Sequence, residues 1–321
     1  MNDALRESGG ATAAGGDREA RGAWRGREER GSLFLIRFMA RLSLALGRAT
    51  VRPLLYLIAA YFFATSGAAR RESRAYLARV LGREPGLLER YRHFLSFAST
   101  IHDRVFFVAD RFEPFDIRVT GAECVDDAPP GEGVFLMGGH LGSFEAARAC
   151  GRDRTHRPVT MAMFAENARK IHAVLEAINP KAVEGIVALG HVDSMLRLDE
   201  ALESGSLVGV LADRAPEGEK FVDLPFLGAA APFPTGPMRL AAVLRRPVVF
   251  MAGLYLGGNR YEVRFERLAD FTALPEGGRA AREALVREAI ARYAQCLERN
   301  ARRAPYNWFN FHDFWAPAPP R

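Results

Sequence analysis

The chain has 321 residues, 49% of them hydrophobic, with a formal net charge of +6. That length suits one large domain with an appendage or two modest domains, and the apolar share is ample for a core. The three cysteines (Cys124, Cys150 and Cys296) lack disulfide-framework or zinc spacing, and a positive charge that is almost all arginine leaves nucleic acid, an anionic membrane or an acidic carrier protein as partners.

Residues 1–31 mix arginine with acidic residues and Gly/Ala runs and have no apolar core. They read as a disordered tail, not a secretory signal. Residues 32–68 change character. Phe34, Leu35, Ile36, Phe38, Met39, Leu42, Leu44 and Leu46 are interrupted by Arg37, Arg41, Arg48 and Arg52. At about 100° per residue these arginines fall within roughly 60° of one another, forming a narrow basic stripe on an apolar helix. Pro53 is expected to break or restart that helix. The run Leu54 to Ala64 has no charge but is short of the ~20 residues a span needs. A monotopic membrane arrangement follows, with the arginines toward lipid phosphates; a single-span anchor and an amphipathic helix packed on the protein's own core stay open. Arg70, Arg71 and Arg74 would form the cytoplasmic flank.

Further along, Arg71–Leu81 and Pro85–Val108 have helical spacing, and residues 115–120 alternate as a strand. Strands at 133–137, Val159–Phe164, Ile186–Leu189 and Ser206–Leu211 then alternate with helices at Leu141–Cys150, Glu166–Ile178 and Asp193–Glu203. Thr235–Leu244 reads as a helix, Val248–Leu256 and Tyr261–Phe265 as strands, and Ala280–Asn300 as a long helix. Continuous apolar strands alternating with helices predict an α/β fold, a mostly parallel mixed sheet flanked by helices, with the membrane-associated helical segment in front. Sites in such sheets lie at the carboxyl ends of strands.

Gly138-Gly139-His140 and Asp213-Arg214 both fall at such ends. Gly139 permits close approach of substrate. His140 is a candidate general base, and Glu145, in the first turn of the following helix, a candidate acid to orient it. By itself the pair is equally a structural histidine and a capping acid. Arg214 is a candidate anion clamp, with a buried Asp213–Arg214 pair as the alternative. Thr235 suits an N-cap and Arg239 the first turn beside a bound anion, or a plain capped helix. The aromatic run Tyr306 to Trp315 is a membrane-interface belt, a lid over an acyl groove, or a plug for the core. No metal is called for: the zincin pattern is missing, and His156, His172 and His191 have no ligand spacing. Ser143 lacks the glycines of a nucleophile elbow.

Taken together, Gly138-Gly139-His140-x4-Glu145, Asp213-Arg214, Phe226-Leu227-Gly228 and Pro234-Thr235-Gly236-Pro237-x-Arg239 resemble the late acyltransferases of lipid A biosynthesis, within the lysophospholipid acyltransferase superfamily. The resemblance implies an acyltransferase domain over 69–321, on the cytoplasmic face of a bacterial inner membrane. Its donor would be an acyl carrier protein thioester or acyl-CoA, and its acceptor a hydroxyl of a lipid A precursor or related (glyco)lipid. His140 would be the base and Glu145 its orienting acid, with Gly139, Asp213, Arg214, Thr235 and Arg239 around the substrate and no cofactor. Arg214 departs from the Asp-Gln that many members carry, as does the ending Trp308-Phe309-Asn310-Phe311 from the usual basic one. The competing readings are a non-catalytic membrane-surface lipid-binding protein and a thioester or lipid hydrolase. Nucleic-acid binding is set aside, because the arginines are scattered or on the membrane stripe.

Overall fold

The structure is a computed structural model and describes residues 38–316, apart from 130, 147–156, 165–174, 177, 180–182, 184, 191, 215–218 and 274–277. The tail, Arg37, Cys150, His156, His172, His191 and most of the helix expected at 166–178 lie outside the described residues.

Helical residues 38–46 stop at Gly47, whose φ of 82° is a conformation glycine adopts readily. Helix α1 (Arg48–Thr65) then runs straight through Pro53. The expected break at the proline is therefore displaced to Gly47. Pro53 costs little so near the helix start, because the bond it cannot make would have gone to the exposed residue Ala49. Helix α2 (Gly67–Leu81) departs at 98° from α1. Helix α3 (Leu87–Val108) begins where the Gly86 N–H donates to the Glu89 carboxylate at 2.8 Å.

Only Val51, Leu55 and Ala59 of α1 are buried, at the four-residue spacing of one narrow face. Leu54, Tyr56, Leu57, Tyr61 and Phe62 are exposed, Leu57 by 69%. Among the described residues no single helix is long and apolar enough to cross a membrane; α1 and α2 pass that test only as a bent pair. The lipid-facing arginine stripe needs correction. Arg48 forms a two-pronged pair with Asp103 at 2.7 and 2.8 Å, and Arg52 donates to the Tyr255 hydroxyl at 2.9 Å. Both also donate to the Gly258 carbonyl. The physical reason is Asp103, a buried carboxylate that needs compensating donors. Tyr261 supplies another at 2.8 Å. Of the stripe, Arg41 remains exposed.

Strand β1 (Asp116–Thr120) and the short helix α4 (Glu123–Asp126) lead into β2 (Val134–Gly138), β3 (Val159–Phe164) and β4 (Ile186–Leu189). Helix α5 (Val192–Glu203) precedes β5 (Leu207–Leu211). Strands β6 (Phe221–Phe226) and β7 (Ala229–Pro234) make an antiparallel hairpin that sequence periodicity does not announce. Its two turn residues, Leu227 and Gly228, both have positive φ, as a two-residue hairpin of the right twist requires. Leucine is tolerated there because its side chain is buried and its N–H donates to Glu298 at 2.8 Å. Helix α6 (Gly236–Val243), strands β8 (Pro247–Tyr255) and β9 (Arg260–Asp270), and helix α7 (Gly278–Arg303) follow.

The seven-stranded sheet has the order β1-β9-β8-β2-β5-β3-β4. Strands β8, β2, β5, β3 and β4 are parallel; β9 turns back antiparallel to β8, and β1 runs parallel to β9. The sheet is mostly parallel and mixed, as expected. Both faces are covered. Phe135 and Met137 of β2 join Val208, Val210, Phe250, Tyr293 and Leu297 on one face, while Val134 and Leu136 join Leu207, Val249 and Met251 on the other. That two-sided burial is why these strands are continuously apolar.

Candidate active site

Register builds the site. Parallel pairing sets Gly138 of β2 opposite Leu211 of β5. Two residues beyond each lie His140 and Asp213, side by side at the carboxyl edge. The Asp213 side chain is fully buried, and the His140 side chain is about one-third exposed (35%). His140 Nδ1 lies 2.8 Å from Asp213 Oδ1, and its backbone N–H donates to Oδ2 at 2.9 Å. The buried indole N–H of Trp308 also donates to Oδ2, at 3.1 Å. Burial alone would raise the Asp213 pKa. The positive charge and hydrogen bonds of His140, with Arg214 beside it, outweigh that and hold the carboxyl well below its ordinary range. An ionised Asp213 accepts from Nδ1–H, so the lone pair of a neutral imidazole lies on Nε2, the nitrogen turned away from the buried acid.

Glu145 does not hold the imidazole, contrary to the expected pairing. Its carboxylate meets Arg104 of α3, Nε to Oε1 2.7 Å, and accepts from the Ser143 hydroxyl at 3.2 Å. The turn explains this. Gly142 has φ 73°, its N–H donates to Asn307, and the Ser143 N–H donates to Gly253. These bonds swing the first helical turn, residues 144–146, over the end of β8 and toward α3. A Cβ on Gly142 would stand 2.0 Å from the Gly253 carbonyl oxygen, so this position requires glycine. Gly139 is also confined: a Cβ there would come within 3.1 Å of the Tyr293 hydroxyl and 3.3 Å of the Asp213 carboxyl carbon. Tyr293 donates to the Gly138 carbonyl at 2.8 Å.

Asp213 is thus turned inward to His140 and Trp308. Arg214 borders the same acid; its Nη2 donates to the Phe309 carbonyl at 2.7 Å, and its buried Nε has no hydrogen-bond partner among the described residues. Burial lowers its pKa, against the pull of Asp213. Thr235 stands at the N-cap position of α6, but its buried hydroxyl makes no cap bond. A Cβ on Gly236 would lie 3.0 Å from the Glu219 carboxylate, so that helix start already faces an acid of this chain. Arg239 points to Glu283 of α7 across 3.9 Å at a solvent-exposed surface. Thr235 and Arg239 therefore do not join the His140 cluster.

The run at 306–315 is built into the molecule. Trp308 is fully buried, and Phe309 and Phe314 are also buried. Residues 307–309 pair with the turn at 140–142 through Gly142 N–H to Asn307 O and Phe309 N–H to His140 O, both 2.8 Å. The Asn307 side chain binds the Tyr255 backbone in both directions, at 2.7 and 2.9 Å. Sequence reading saw these aromatics but missed the tie of Trp308 to Asp213. Among the described residues no group of three or more His, Cys, Asp or Glu could hold a metal ion. Burial pushes the Cys296 thiol up to about 12, so it offers no thiolate.

Residues 27–316 match the family of bacterial lipid A biosynthesis acyltransferases. The chain belongs to that family. It is therefore an acyltransferase, working with an acyl donor and a lipid acceptor. A search of the curated proteins finds no match. Among solved structures the chain is similar to the 1-acyl-sn-glycerophosphate (LPA) acyltransferase PlsC from Thermotoga maritima. The identity is 16%, the coverage 78% of this chain and 98% of that one, and the TM-score 0.34.

Proposed function

We propose that this family member transfers a fatty acyl group from a thioester of acyl carrier protein or coenzyme A to a hydroxyl of a lipid A precursor or related (glyco)lipid. The observation that carries the reading is the His140–Asp213 pair at the ends of β2 and β5, buried on the acid side and open on the base side. His140 Nε2 takes the proton of the acceptor hydroxyl as its oxygen attacks the thioester carbonyl. Asp213 fixes the tautomer and stabilises the imidazolium. The tetrahedral intermediate collapses, the carbon–sulfur bond breaks, and the proton passes from His140 to the departing thiolate. The N–H groups of His140, Gly142 and Ser143 are already engaged, and the guanidinium of Arg214 is one candidate partner for the oxyanion.

The lipid setting is supported by an apolar path. Phe63 of α1 touches Phe94 of α3, which touches Phe311, and Phe311 and Phe309 both contact Phe97. Phe309 bonds the His140 backbone. Exposed apolar residues on α1 and α3, including Leu57, Leu87, Leu88 and Ile101, continue this path outward. This face would rest on the inner membrane at its cytoplasmic side, by monotopic attachment or a single anchor, with a basic surface drawing the acidic carrier. Purified enzyme given acyl carrier protein and coenzyme A thioesters with lipid A precursor should form acylated lipid and free thiol in equal amounts. Thiol release without lipid product would instead mark a hydrolase and sink the proposal.

A further inference from the structure

A second tier of buried groups stands behind Asp213. Trp308 donates its indole N–H to Asp213 Oδ2 at 3.1 Å, while its backbone carbonyl lies 3.0 Å from His93 Nε2 of α3. His93 Nδ1 lies 2.9 Å from the Ser73 hydroxyl of α2. All three side chains are fully buried. A carbonyl only accepts, so Nε2 of His93 carries the hydrogen and Nδ1 accepts from Ser73. Burial, against the Trp308 carbonyl, lowers the His93 pKa to about 4, so the ring is neutral at ordinary pH. The chain of donors therefore has one direction: Ser73 to His93, and His93 to Trp308. The Trp308 indole in turn fixes Oδ2 of Asp213, whose other oxygen faces the His140 ring.

We propose that Trp308 is a positioning residue for acyl transfer: its indole N–H sets the plane and basicity of Asp213, and His93 and Ser73 hold Trp308 in place. This rests on the reading of His140 as the base. Two consequences follow from the chemistry. A carboxylate with all its donors spreads its charge among them, and losing one leaves more charge facing His140. The imidazolium is then favoured, and the His140 pKa rises. The carboxylate is also freer to rotate, so turnover falls more than substrate affinity does.

The test uses the full chain in detergent micelles, with His140 titrated by NMR of its ring and its signal assigned by loss in His140→Ala. Trp308→Phe keeps an aromatic ring but removes the donor; the His140 pKa is expected to rise by about half a unit or more, with kcat reduced about tenfold and KM little changed. Phe314→Leu is the packing control, because Phe314 touches the indole at 4.8 Å between centroids and has no polar atom. It should lower stability and leave the His140 pKa in place. His93→Gln can still donate to Trp308 and accept from Ser73, and should stay close to wild type; His93→Leu should follow Trp308→Phe. An unmoved His140 pKa in Trp308→Phe, or an equal shift in Phe314→Leu, overturns the inference. If instead His140→Ala keeps its acyl transfer, the base assignment itself fails, independently of how Trp308→Phe behaves.

Discussion

Two oxygens of Asp213 take three donors: the ring and backbone of His140 and the indole of Trp308. That arrangement separates the two acids near the histidine. Asp213→Asn removes the charge that orients and stabilises the imidazolium, and should lower kcat/KM by ~10²–10⁴, as loss of a positioned base does. It should also lower the His140 pKa. Glu145→Gln weakens the tie to Arg104 and should leave the His140 titration where it is. NMR titration of both variants checks this, and a large His140 shift in Glu145→Gln would restore Glu145 as the orienting acid. In the sequence, His140 and Asp213 were each legible as strand-end residues. Their pairing was not, because it depends on β2 and β5 being neighbours although β3 and β4 intervene in the chain. Glu145 looked closer only because it is nearer in sequence.

The elements were largely readable, because two-sided burial makes strands apolar throughout and leaves few rival patterns. The strand at 133–137 and the helix at 235–244 appear within a residue or so of the expected ends. The β6–β7 hairpin was missed because Pro225, Pro232 and Pro234 mask a strand signal, and because its turn places leucine where glycine or asparagine is usual. The break before α1 was misplaced for a related reason: a proline near a helix start is harmless, whereas Gly47 at a positive φ ends a helix. At this scale Gly142 is the sharpest test. Gly142→Ala puts a methyl 2.0 Å from the Gly253 carbonyl oxygen and forces a positive φ on alanine. At least ~1 kcal/mol from backbone strain, and more from the clash, should appear as a lower melting temperature. A variant as stable as wild type would show that the turn can re-form elsewhere.

Among the described residues, α1 and α3 carry an exposed apolar face, and His93 is a buried histidine that must stay neutral. The first predicts attachment. Leu57→Glu with Phe62→Glu should weaken flotation with anionic vesicles by at least ~10-fold, since each side chain forfeits ~1.5–3 kcal/mol of burial; unchanged flotation would place the membrane contact elsewhere. The second predicts a pH dependence. His93 has a folded pKa of about 4 against 6.5 ordinarily. Its contribution to stability is therefore complete above pH ~6.5 and is lost as pH falls toward 4, by about 3 kcal/mol in all. Chemical denaturation of wild type and His93→Gln between pH 7 and 4 should show wild type losing more; parallel curves would count against it.

The pairing of residues 307–309 with the turn at 140–142 has a consequence in time. His140 leaves the ribosome well before Asp213, and Asp213 before Trp308; the separations are 73 and 95 residues. Contacts so distant along the chain form late in folding. During synthesis the strands can begin to assemble while the base still lacks its acid and the acid still lacks its indole. A nascent chain stopped at Pro305 should therefore neither consume thioester nor acylate lipid, and competence should arrive in one step as the aromatic residues of 306–315 dock. Activity is withheld until that segment has been made.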